Sequence, residues 1–119
     1  MPSDNYSTLN KTLMEIFDLL LKKFPRNSVI HGLRTDVRGI ISINRESLYN
    51  LGAYYGKTWK PMLLKGDETF FLNLDTRSES MGDPTIENTI NELKRIWLEL
   101  SPPEQAALKE RFSTIALLY

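Results

Sequence analysis

The side chains best suited to chemistry lie between Val29 and Lys60. His31, Arg34 and Arg38 recur at three- and four-residue spacing, with Arg45 just beyond. On a helix that spacing turns them to one side, about a third of a turn from the apolar face. Arginines so spaced could grip successive phosphates, and His31 could add a pH-dependent contact. Lys57 and Lys60 flank Trp59, whose indole could stack on a base. Together His31, Arg34, Arg38, Arg45, Lys57 and Lys60 form the candidate nucleic-acid-binding set. The plainer reading is a solvated helix face that pairs with the acidic second half of the chain.

Other chemistry finds little support. The single histidine cannot make a histidine pair for zinc, and the absence of cysteine removes disulfides, thiolate metal sites and cysteine nucleophiles together. No serine stands in a nucleophile-elbow context, and no glycine-rich phosphate loop is present. Asp67, Glu68 and Asp75 could suggest magnesium or acid–base work, but sequence adjacency does not bring carboxylates around a pocket; helix capping explains Asp67 more simply. The sequence therefore assigns no catalytic residue, no metal ligand and no cofactor. Its second candidate surface is aromatic. Trp97, Phe112, Phe70, Phe71 and Tyr119 could form a recognition groove, although Trp97 and Phe112 have the spacing of core residues. Tyr54, Tyr55, Trp59 and Phe71 are the aromatics best placed to remain at a protein interface.

The elements that must position these residues are helical. A chain of 119 residues, 41% hydrophobic, suits one compact domain. In the first helix, about Thr8 to Lys23, Leu9, Leu13, Ile16, Phe17 and Leu20 form one stripe, with Ser7 as cap. Met14, Leu19 and Leu21 lie off that stripe, so this helix is expected to be central or covered by a partner. Ser28 is expected to cap a second helix, about Val29 to Ile43, with Ile30, Leu33, Val37, Ile40 and Ile41 inward. Asn44 then opens a short third helix ending near Gly56. Between Lys57 and Asn73, Pro61 and Gly66 divide the chain. The expectation is a turn or short helix before Gly66 and a further short helix capped by Asp67, with a hairpin around Lys65-Gly66-Asp67 as the alternative. Asp75 to Pro84 reads as a mobile loop.

The clearest local signal lies in the last third. Asp83 caps, and Pro84 begins, a helix with Ile86, Ile90, Leu93, Trp97 and Leu100 on one face and Ile96 beside it. Ser101, Pro102 and Glu104 then make a capping box with proline at the first helical position. The helix that follows carries Leu108, Phe112, Ile115 and Tyr119. These two helices form a hairpin, and the fold class is all-α, a compact single domain of five to six helices.

Charge is segregated along the chain although the total is zero. The stretch from Phe24 to Lys65 holds seven basic and two acidic residues, and that from Gly66 to Tyr119 five basic and ten acidic. No stretch has the apolar core of a signal peptide or the length of a membrane span, so the expected setting is intracellular.

The run Ile90-Asn91-Glu92-Leu93-Lys94-Arg95-Ile96-Trp97-Leu98-Glu99-Leu100-Ser101 resembles the "I-x-x-L-K-x-x-W-x-x-L-S" signature of small proteins of large nucleocytoplasmic DNA viruses of algae and protists. Lys65 to Leu72 is similar to a "K-D-E-x-F-F-L" element of the same group. Phe112, Ile115 and Leu118 match its second helix, while Gly66 and Leu108-Lys109 depart from it. The resemblance implies an all-α viral protein and supplies no catalytic residues. The function expected is non-enzymatic, through contact with a protein partner or by self-association, as a virion component or host-interaction factor. Nucleic-acid binding is the alternative. Neither a membrane nor a small-molecule substrate is expected as partner.

Overall fold

The computed structural model describes residues 4–66, 69–73 and 81–119, with Phe70 and Phe71 described through their backbone alone. Helices follow one another throughout: α1 (Asn5–Lys23), α2 (Ser28–Ile43), α3 (Ser47–Leu51), α4 (Ala53–Lys65), α5 (Thr69–Leu72), α6 (Pro84–Glu99) and α7 (Pro102–Ala116). The fold is all-α and forms a single domain. Its radius of gyration is 14.1 Å, close to the ~13.5 Å expected for a chain of this length. Expectations for Asp67 and for residues 75–80 lie outside the described residues.

Helix starts follow from side-chain caps, in two cases at a residue earlier in the chain than the sequence suggests. Asp4, not Ser7, caps α1 by accepting from the Ser7 N–H at 3.2 Å. Asn27, not Ser28, caps α2 by accepting from Ile30 N–H at 3.0 Å. Each shift lengthens its helix and gives one of the first-turn N–H groups a side-chain acceptor. Asp83 caps α6 through Thr85 N–H, and the Ser101–Glu104 box closes in both directions at the start of α7.

The larger correction concerns α4. Residues 53–65 form one helix that passes through Gly56 and Pro61, where short pieces or a hairpin were expected. Proline inside a helix removes one hydrogen bond and costs ~3 kcal/mol locally. Packing offsets this, since α4 packs along α7 more extensively than any other pair of helices among the described residues. Gly56 is required there: a Cβ on it would lie 2.5 Å from the Tyr119 ring. The helix stops at Gly66, whose φ of 65° places it in the left-handed region that glycine enters without strain.

Helix α1 is central, packed against α2, α3 and α7. The core joins Ile16 and Leu20 of α1, Ile30 of α2, Ile96 and Trp97 of α6, Leu100 in the turn after α6, and Leu108 of α7. Of the apolar positions expected on α2, only Ile30 is fully buried; Leu33, Val37, Ile40 and Ile41 are half-buried. The turn at Leu100 and Ser101 joins α6 to α7 and is braced by Gln105 Nε2 donating to Trp97 O at 2.9 Å. The two arms do not lie in close backbone contact. Core side chains stand between them, with the Trp97 and Phe112 rings 6.2 Å apart.

Tyr119 lies past the end of α7 and closes the structure. Its ring stacks on Tyr49 at 4.4 Å, and its hydroxyl donates to Tyr49 O at 2.9 Å. Tyr49 in turn donates to Leu118 O at 2.7 Å. Burial pushes the Tyr119 hydroxyl pKa upward, with the neighbouring Tyr49 adding to the effect.

Candidate functional site

Because α4 is a single helix, it displays its residues on a fixed set of faces. At 100° per residue, Tyr54, Pro61 and Lys65 point one way, with Lys57 and Leu64 on one flank and Tyr55 on the other. Trp59 and Leu63 point opposite. Exposure agrees: Tyr54 is 70% exposed, Tyr55 42% and Leu64 43%, while Leu51 at the end of α3 is 71% exposed. Tyr54 packs edge-on against Tyr55 with centroids 5.2 Å apart, and Tyr55 meets Trp59 at 5.0 Å. An aromatic ladder thus runs from solvent toward the interior. No carboxylate occurs between Ser47 and Lys65, so the three lysines Lys57, Lys60 and Lys65 give this surface an unopposed positive charge along its own helices. Of the four expected interface aromatics, Tyr54 and Tyr55 lie outward and Trp59 is half-buried and faces the core. The side chain of Phe71 lies outside the description.

The basic set is divided among different tasks. His31 is exposed, and its Nε2 lies 2.7 Å from Pro25 O, a hydrogen bond to the turn between α1 and α2 when that nitrogen carries the proton. Arg34 Nε donates to Asp18 Oδ1 at 3.0 Å. Arg45 pairs with Asp4, also donates to Ser7 Oγ at 3.2 Å, and lies over the Tyr6 ring at 5.5 Å. That arrangement holds the start of α1 against the end of α2, and the pairing with Arg45 lowers the Asp4 pKa. Arg38 is exposed on α2; Lys57 is exposed and Lys60 half-exposed on α4. Two of the six residues therefore hold helices together through acidic partners on, or capping, α1.

No acidic residue of the second half forms an ion pair with a basic residue of α2 among the described residues. Among the described residues, Glu104 pairs with Lys23 of α1 at 2.7 Å, and Glu92 and Glu99 both pair with Arg95 on their own helix. The Lys23 ammonium, and then the Ser101 N–H, pull the Glu104 pKa down to about 2. Glu92 is lowered chiefly by Arg95, and also accepts from Asn27 Nδ2 at 3.3 Å. Among the described residues, the ion pairs of α2 and of α7 to other helices run through α1. The cause is packing: α1 lies beside both α2 and α7.

Sequence reasoning missed one feature altogether. A cavity of about 420 Å³ lies among α1, α2, α4, α6 and α7, between the buried core and the inner face of α4. Its lining includes Phe17, Leu33, Trp59, Leu63, Leu93 and Phe112. The inward turn of Trp59 is the one signal that could have revealed it, and reading that signal requires α4 to be continuous.

Among the described residues no group of three histidine, aspartate or glutamate side chains is arranged to hold a metal ion. No helix of the described residues is long and apolar enough to cross a membrane. Comparison of the chain with family models, curated proteins and solved structures found no match.

Proposed function

We propose that this protein is a non-enzymatic binding module that engages a protein partner through the outer face of α3 and α4. The observation that carries this reading is the exposure of Leu51, Tyr54, Tyr55 and Leu64 beside Lys57 and Lys65, with no acidic residue on either helix. Single exposed apolar residues are ordinary, but grouped aromatics at a surface are typical of the anchors around which interfaces form. Lysines without local acidic partners favour a partner segment that presents an apolar face with carboxylates around it. A second copy of this chain is one such partner, since its half from Gly66 to Tyr119 is acidic. On the resemblance to proteins of large DNA viruses, the setting is a virion or an infected cell.

The test is affinity purification from the native source, with and without nuclease, using wild type, Leu51→Ala/Tyr54→Ala and Arg34→Glu/Arg38→Glu. Expected is a protein partner that survives nuclease, is lost with the first variant and is retained with the second. Loss with the arginine variant together with nuclease sensitivity would overturn this reading in favour of nucleic acid. Recovery of the same partner by all three proteins would overturn it outright. Sedimentation of the purified protein separates self-association from a foreign partner.

A further inference from the structure

The cavity among the helices faces inward, away from the surface assigned to the partner, and its walls decide what it can hold. Its volume of about 420 Å³ falls within the range of small-molecule pockets, roughly 300–1,000 Å³. Protein interiors are normally close-packed, with few spaces larger than a water molecule. Here side chains from α1, α2, α4, α6 and α7 leave a common space. Leu13, Phe17, Leu33, Leu93, Phe112 and Ile115 line it and remain only half-buried, although they lie at the centre of the domain.

The chemistry of the walls selects against charge and hydrogen-bonding groups. Among the described residues, the lining side chains that carry nitrogen are Trp59, Trp97 and Lys109. Each already has an interaction within the protein, and the Lys109 ammonium stands 5.9 Å from the centroid of the Trp97 ring. A carboxylate, hydroxyl or amide placed in the cavity would lose its water with no partner held ready for it. Water itself needs two to four polar partners to be held, and apolar cavities stay dry. A hydrocarbon surface suffers no such loss, and gains dispersion contacts from all five helices.

Size and shape follow from the same walls. A dry apolar cavity of about 150 Å³ takes up benzene, about 25 Å³ for each carbon, so a volume of about 420 Å³ has room for roughly 17 carbons. Phe17 of α1, Trp59 of α4, Trp97 of α6 and Phe112 of α7 set an aromatic ring on four of the five helices. Such rings meet a flat ring in offset or edge-on geometry and add to simple burial. A flexible chain of the same carbon count gains the burial alone and loses its torsional freedom on binding. We propose that this cavity binds a neutral, flat polycyclic ligand of that size, held among Phe17, Trp59, Trp97 and Phe112.

The experiment titrates the full chain with pyrene, a fused-ring hydrocarbon of that size, and with pyrene-1-carboxylate, which adds one charge to the same skeleton. Both are kept below their solubility limits. Pyrene absorbs where tryptophan emits, and both tryptophans of the chain line the cavity, so quenching of their emission reports occupancy. Expected is saturable one-to-one quenching by pyrene, with the carboxylate binding roughly tenfold more weakly. Farnesol, neutral and of similar carbon count but acyclic, should also bind roughly tenfold more weakly than pyrene when measured by displacement. Leu13→Phe with Leu93→Phe narrows the cavity and should weaken pyrene by about tenfold, with circular dichroism showing the fold retained. Leu51→Ala with Tyr54→Ala alters only the outer surface and should leave pyrene affinity unchanged. The proposal would be overturned by a lack of saturable quenching, by carboxylate or farnesol affinity equal to that of pyrene, or by loss of pyrene binding in the outer-surface variant. Undiminished binding by a folded Leu13→Phe/Leu93→Phe protein would overturn it as well. The three ligands compared on wild type decide the matter even if the filled variant fails to fold.

Discussion

Gly56 shows how much one missing side chain decides. It sits inside α4, where glycine disfavours helix by roughly 0.5–1 kcal/mol relative to alanine. Its place is dictated by Tyr119, whose ring occupies the space where a Cβ would be, with contacts at 2.5, 2.7 and 2.8 Å. That ring cannot simply swing away, because it is stacked on Tyr49 and bonded to the Tyr49 carbonyl. Gly56→Ala should therefore destabilise the protein by about 1–3 kcal/mol despite improving helix propensity. In a Tyr119→Ala background the same change should become neutral or stabilising. Urea unfolding of the four proteins of that cycle checks it, and additive effects would show that the two residues do not compete for one space. From the sequence, Gly56 reads as a helix end and Tyr119 as the last member of a helical stripe. Neither reading fails on local grounds. Both miss a contact between residues 63 positions apart, which no local rule encodes.

At the scale of elements, legibility follows how each helix is specified. Helices α1, α2, α6 and α7 carry their own periodicity and caps, so their existence and approximate spans could be read directly. The Ser101-Pro102-Pro103-Glu104 junction was legible in atomic detail because every group in it is local. Helix α4 is different, since its interior glycine and proline argue against a helix that only its packing on α7 sustains. The candidate surface inherits this. Tyr54 and Tyr55 could be named from composition alone as aromatics that would stay exposed, but Trp59 could be assigned to the inner face only once α4 was known to run unbroken. Pro61 offers a direct test of that continuity. It is exposed, so Pro61→Ala removes little packing and restores the N–H that can bond to Lys57 O. The expected outcome is a gain of stability, up to about 3 kcal/mol, measured by chemical denaturation. A loss of stability would mean that the proline serves a turn, and would separate Trp59 from the face opposite Tyr54.

At the scale of the whole molecule, the segregated charge invites the idea that a basic middle and an acidic end hold the fold together. The ion pairs show a different arrangement. Asp4 and Asp18 take Arg45 and Arg34 from one side, while Lys23 and Glu15 meet Glu104 and Arg111 from the other. Among the described residues, α1 and the aspartate that caps it thus supply a partner in each of these four pairs. Those four pairs are partly open to water, with side-chain exposures from 29 to 61%, so each contributes little and is weakened further by salt. The apolar contacts of the same helix are of another order: truncating Leu20, 6% exposed, to alanine should cost about 2–5 kcal/mol. If burial around α1 dominates, raising sodium chloride from about 0.05 to 1 M should shift the unfolding free energy by no more than about 1 kcal/mol, since pairs this exposed have little to lose. Urea titrations at the two salt concentrations, with wild type and Leu20→Ala side by side, measure both quantities. A salt effect as large as the Leu20→Ala effect would return the charge segregation to the centre of the fold. A small one leaves Lys57, Lys60 and Lys65, which make no ion pair among the described residues, outside the forces that hold the fold, as a surface reserved for a partner requires.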